Sequence, residues 1–181
     1  MVRSEISNLL VYSDIVEKQF RSARKSGLWV AALTLGCSLA ECHLLMRAIS
    51  SIKEVNKNAK YGKTTAREMC EHWGLFELSQ LAFDLGWIDV RFMSAGFVSD
   101  VTKHLKKTIL GKQKEPLEKA IPYLLLGLAR VQRNTVHPGK VARDERPLES
   151  RTFRELCKSS CELLDIALTC LRETQNHASL M

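Results

Sequence analysis

The segment from Leu28 to about Val55 constrains this chain more than any other, because its first half is apolar on nearly every side when wound as a helix. A helix of that kind has no face to give to water, so it must run through the middle of a core. The run is too short for a membrane span: Leu28 to Ala40 is followed by Glu41, His43 and Arg47, well before the roughly 20 apolar residues a bilayer requires. We therefore read it as the central helix of a globular domain. At 181 residues and 45% hydrophobic content the chain suffices for one continuous core.

Apolar residues recur at helical spacing on either side of this segment. Ile6, Leu9, Leu10, Ile15 and Phe20 predict a first amphipathic helix ending near Arg21, Arg24, Lys25 and Gly27. A lysine-rich loop follows the central helix over 56–63. Thr65 with Glu68 forms a capping box that opens a helical region through Trp73, Leu75, Leu78, Leu81 and Leu85, with Gly86 as its stop. Residues 90–110 predict another helix, with Lys103, Lys106 and Lys107 outward. A further helix starts near Pro116 or Pro122 and runs to Val136, where His137 and Pro138 end it. Thr152 and Glu155 form a second capping box for a last helix to about Arg172. No alternating pattern long enough for a strand occurs. The expected fold is an all-α, single-domain helical bundle of about five to six helices over 1–181, with its core over about 5–173, a charged loop at 139–149 and a frayed tail at 174–181.

Charge and cysteine usage bound the partners. A formal charge of +7 favours anionic partners such as RNA or nucleotides. Glu5, Asp14 and Glu17 interrupt the first residues, so no signal peptide is expected and the location expected is cytoplasmic, with no membrane partner. Cys37, Cys42, Cys70, Cys157, Cys161 and Cys170 lie in helical patterns without CxxC pairs, which favours reduced, buried thiols. Cys157 and Cys161 share a helix face, and a metal site completed by His72 or His43 is the weaker alternative; neither metal nor cofactor is assigned. Trp29, Trp73 and Trp87 read as core residues, Trp87 being the best candidate among them for stacking on a base.

The segment that carries chemistry runs from Arg130 through Arg133, Asn134 and His137 to Pro138. On a helix, Arg130, Arg133, Asn134 and His137 share an arc of about 100°, with Leu128, Ala129, Val131 and Val136 on the remaining faces. Guanidinium presents a planar fork to phosphate oxygens, and imidazole exchanges a proton near neutral pH. RNA supplies its own 2′-hydroxyl nucleophile, so such a stripe could cleave it without a metal: His137 would move the proton while an arginine holds the phosphate. The plainer reading has Arg133 and Asn134 capping carbonyls or bridging to a carboxylate, and His137 ending the helix before Pro138. Lys103, Lys106 and Lys107, with Lys140 and Arg143 of the following loop, are candidate RNA contacts; a solvated lysine face is the plainer reading of the first three.

The segment resembles the signature of the HEPN superfamily, an arginine, commonly followed by a polar residue, with four to six residues between the arginine and a histidine. Arg133-Asn134 supplies the dipeptide with three residues before His137, whereas Arg130 has six residues between it and His137, so each arginine fits one part of the pattern. Gly36 to Leu45 looks like the early core helix of such proteins, and Leu78 to Ile88 like the helix and glycine turn between the two. The resemblance implies a helical bundle and a homodimer with two motifs across one cleft, which Glu41 would approach. It further implies RNA cleavage or binding in toxin or antiviral systems, alongside an antitoxin or enzyme partner. It equally admits non-catalytic members, interaction or regulatory modules that bind a nucleotide, RNA or a partner protein.

Overall fold

The computed structural model describes residues 2–87, 126–129 and 151–178. All of its regular structure is helical: α1 Val2–Lys25, α2 Trp29–Ser50, α3 Ile52–Val55, α4 Ala66–His72, α5 Leu75–Asp84 and α6 Arg151–Ala178, with 126–129 also helical. There is no strand among the described residues. The helices expected over 90–110 and from Pro116 or Pro122 to Val136, apart from 126–129, and the loop at 139–149 lie outside them.

The apolar α2 is the axis of the packing; by length and composition alone it would also suffice to cross a membrane, which corrects the expectation that the run is too short, but 56% of that stretch is buried inside the fold. It touches α1, α4, α5 and α6, and Leu33, Leu39, Leu44 and Ile49 on it are fully buried. Gly36 marks the tightest crossing. A methyl group built there would fall inside the radius of Leu164 Cδ2 on α6 and lie 2.8 Å from Phe20 Cε2 on α1, so only a hydrogen lets three helices meet. Two ion pairs then fix α1 against α6, Arg24 to Asp165 at 2.8 Å and Arg172 to Glu17 at 2.9 Å. Half-exposed pairs of this kind contribute at most about 1 kcal/mol each and set register more than stability.

The face by which α1 meets the core differs from the sequence expectation. Val16, Phe20, Ala23 and Ser13 are buried, whereas Leu10 and Ile15, expected to point inward, are 52% and 51% exposed. The reason is geometric: α1 presents the stripe through Leu9, Val16, Phe20 and Ala23 to α2, and Ile15 falls on the opposite side of the cylinder.

Helix ends follow the expected glycines. Gly27, at φ 71°, closes α1 with Leu28 N–H donating to Ala23 C=O (2.9 Å) and Gly27 N–H to Arg24 C=O (3.1 Å). Gly86, at φ 63°, repeats the motif after α5, with Trp87 N–H donating to Ala82 C=O (3.0 Å) and Gly86 N–H to Phe83 C=O (3.1 Å). Both are Schellman ends that need a residue free to adopt positive φ. The helix expected to continue to Val55 breaks at Ser51, whose N–H still bonds Arg47 C=O while Glu54 N–H donates to Ser51 C=O, starting the short α3. At the far end α6 continues to Ala178, beyond the expected end at Arg172.

The lysine-rich loop is held at both ends. The Asn56 side chain accepts from Thr64 N–H (2.8 Å) and donates to Thr64 C=O (3.1 Å), closing the loop on itself. Lys60 and the Tyr61 hydroxyl both reach the Asp84 carboxylate on α5, and Tyr61 packs against Trp73 with ring centroids 5.6 Å apart.

Candidate functional site

The residues chosen from sequence for chemistry, Arg130, Arg133, Asn134 and His137, lie outside the described residues, as do Lys103, Lys106, Lys107, Lys140 and Arg143. The helical stretch leading toward them is described at 126–129. Leu128 in it is 3% exposed and belongs to the core cluster, with Ala129 packed beside it.

Glu41, expected to approach the cleft, lies among the described residues. It projects from the middle of α2 to the start of α5, where its Oε2 accepts the Leu75 N–H at 3.0 Å. The first amides of a helix lack intrahelical acceptors and require one from elsewhere. At this start the N-cap residue is Gly74, which has no side chain to serve. Glu77 accepts the Gly74 N–H at 3.1 Å from within α5, and Glu41 adds an acceptor from a different helix. Burial pushes the Glu41 carboxyl above its ordinary range; the Leu75 hydrogen bond opposes that shift and the charge on Glu77 adds to it.

This arrangement also corrects the expected single helical region from Thr65 to Leu85. The capping box of Thr65 and Glu68 forms as expected, with Glu68 N–H donating to Thr65 Oγ1 and Thr65 N–H to Glu68 Oε2. The chain then leaves helical geometry at Trp73 and Gly74 and restarts as α5. Two carboxylates waiting for the Gly74 and Leu75 amides make the restart favourable.

No protein-family model, curated protein or solved structure matches this chain.

A second polar cluster was not anticipated. Arg47, in the last turn of α2, places its guanidinium over the Trp87 ring, 5.1 Å from the centroid. Trp87 Nε1–H donates to Glu54 Oε2 at 3.3 Å. Burial pulls the Arg47 guanidinium below its ordinary value, and the nearby Glu54 charge opposes this. Trp87 is 3% exposed, which bears out the core reading and overturns the weaker alternative that it stacks on a base: Arg47 lies over the ring and its indole N–H is engaged. The sequence held one legible signal for the placement, Gly86, which forces the chain to turn back at this point.

The cysteines follow the burial expectation except Cys70, which is exposed on α4. Burial pushes the thiols of Cys37, Cys161 and Cys170 up to about 12 and that of Cys42 up to about 11. Cys42 donates to Leu9 C=O (3.2 Å) and Cys161 to Trp29 C=O (3.5 Å). At neutral pH these are protonated, buried thiols, and Cys42 and Cys161 tie neighbouring helices together through their carbonyl acceptors. Among the described residues no group of three or more His, Cys, Asp or Glu is placed to hold a metal ion.

Proposed function

We propose that this chain is a HEPN-like helical domain that acts on or binds RNA, with His137 moving a proton and Arg130 or Arg133 holding a phosphate. The observation that carries the reading is the stripe of Arg130, Arg133, Asn134 and His137 ahead of Pro138. The all-helical fold and the formal charge of +7 are compatible with it. The chemistry is transesterification: the 2′-oxygen attacks the adjacent phosphorus as its proton is taken up, the 5′-oxygen of the next nucleotide leaves, and a 2′,3′-cyclic phosphate remains. Asn134 would orient the phosphate, and the lysines at 103, 106, 107 and 140 with Arg143 would follow the RNA backbone. A homodimer that sets two stripes across one cleft, and a toxin or antiviral role, belong to the same proposal.

The test is incubation of the purified protein with a mixed RNA pool in EDTA, beside His137→Ala. Cleavage by wild type alone, leaving 2′,3′-cyclic phosphate ends, is the expected result. Salt-sensitive RNA binding without cleavage by folded wild-type protein would replace it with the non-catalytic interaction module. Absence of both binding and cleavage would end the RNA reading.

A further inference from the structure

On α1, Leu10 (52%), Val11 (61%), Tyr12 (49%) and Ile15 (51%) are exposed together on the side away from the core. At 100° per residue Val11, Ile15, Lys18 and Lys25 share an arc of about 80° opposite Leu9, Val16 and Phe20, with Leu10 and Tyr12 on its two shoulders. Lys18, Arg21, Ser22 and Lys25 are exposed along the following turns. The stripe is therefore apolar in its amino-terminal half and basic in its carboxyl-terminal half. Asp14 is the one exposed acid between Leu10 and Lys25, because Glu17 is drawn into pairs with Arg21 and Arg172.

We propose that the outer face of α1 docks on an anionic lipid surface, lying along it without spanning it. Charge complementarity and side-chain type select this occupant. Aliphatic side chains and a tyrosine suit the boundary between headgroups and acyl chains, and lysines beyond them reach lipid phosphates with their stems still on apolar ground. A convex helix face with four apolar side chains is far smaller than the roughly 800 Å² per partner of a stable protein interface, whereas a flat bilayer accepts a convex ridge. RNA offers nothing to Leu10, Val11 or Ile15. From Val11 to Lys25 the stripe extends about 21 Å, so the helix would lie obliquely with its apolar end deeper and Lys18 and Lys25 among headgroups. This inference is independent of the RNA reading.

The experiment is sedimentation of the full chain with vesicles of phosphatidylcholine containing about one-third phosphatidylserine, beside phosphatidylcholine alone. Wild type should pellet with the anionic vesicles and be released by salt. Val11→Ser with Ile15→Ser should weaken partition about tenfold while leaving the melting transition in place, since both positions face outward. Lys18→Glu with Lys25→Glu should remove the preference for phosphatidylserine. Wild type remaining in the supernatant, or equal partition by both double variants, overturns the proposal. So does a fall in sedimentation-velocity mass on Val11→Ser with Ile15→Ser, which would assign the face to a second copy of the chain.

Discussion

The carboxylate of Glu41 accepts the backbone N–H of Leu75 across 3.0 Å, joining the middle of the central helix to the first residue of α5. A residue 34 positions earlier thus does the work that the N-cap Gly74 has no side chain to do. The contact explains why one expected helix is two, and it gives the first prediction.

Glu41→Ala strands the Leu75 amide and should cost about 1 kcal/mol, the usual loss of a helix cap. Glu41→Gln keeps an acceptor and relieves a half-buried charge, so it should be close to neutral. Their difference also depends on pH. The folded-state pKa of Glu41 is raised, so the part of its stability linked to protonation is fully present below its unfolded value near 4.5 and is lost as pH rises through the folded value, while the hydrogen bond from Leu75 N–H remains. Urea unfolding should therefore show Glu41→Gln gaining on wild type as pH rises above about 4.5; a gap that is constant with pH would refute the assignment.

Gly36→Ala should destabilise the fold by about 1–3 kcal/mol, because the new methyl meets Leu164 and Phe20 at once. Leu164→Ala on its own opens a cavity, but combined with Gly36→Ala it should cost less than the sum of the two. A double-mutant cycle in thermal unfolding reads this coupling directly. Additive losses would mean that the three helices do not meet at Gly36.

Trp87→Phe should cost about 1–2 kcal/mol through the lost Glu54 hydrogen bond and the weaker cation–π contact with Arg47. In fluorescence quenching by acrylamide, the signal removed by this substitution should be the best protected of the three tryptophans. A readily quenched Trp87 would contradict its 3% exposure.

Cys70 should be the thiol that reacts quickly with a disulfide reagent in the native protein, because the other cysteines are buried. The rest should react only on unfolding, in step with loss of helical signal. Adduct mapping by mass spectrometry checks the position, and fast labelling of Cys37 or Cys161 would count against the packing of α2 on α6.

Composition and spacing carried the helical class, because a helix apolar on nearly every side must be kept from water and because Gly27, Gly86 and the Thr65–Glu68 pair are local instructions that act within one turn. The stripe expected at 130–137 rests on periodicity alone and lies outside the described residues. Which apolar residues of α1 face inward was not legible, since Leu9, Leu10, Ile15 and Phe20 are equally apolar and only the position of α2 selects the stripe through Leu9 and Phe20. Nor was the break before α5, which depends on Glu41 arriving from another helix, or the polar contacts of Trp87, which depend on Arg47 and Glu54 closing over it. Local hydrogen-bond patterns and side-chain periodicity are properties of the sequence itself. The choice among equivalent faces, and the partner of an amide 34 residues away, belong to the packed chain, because packing energy is defined only when the second surface is in place.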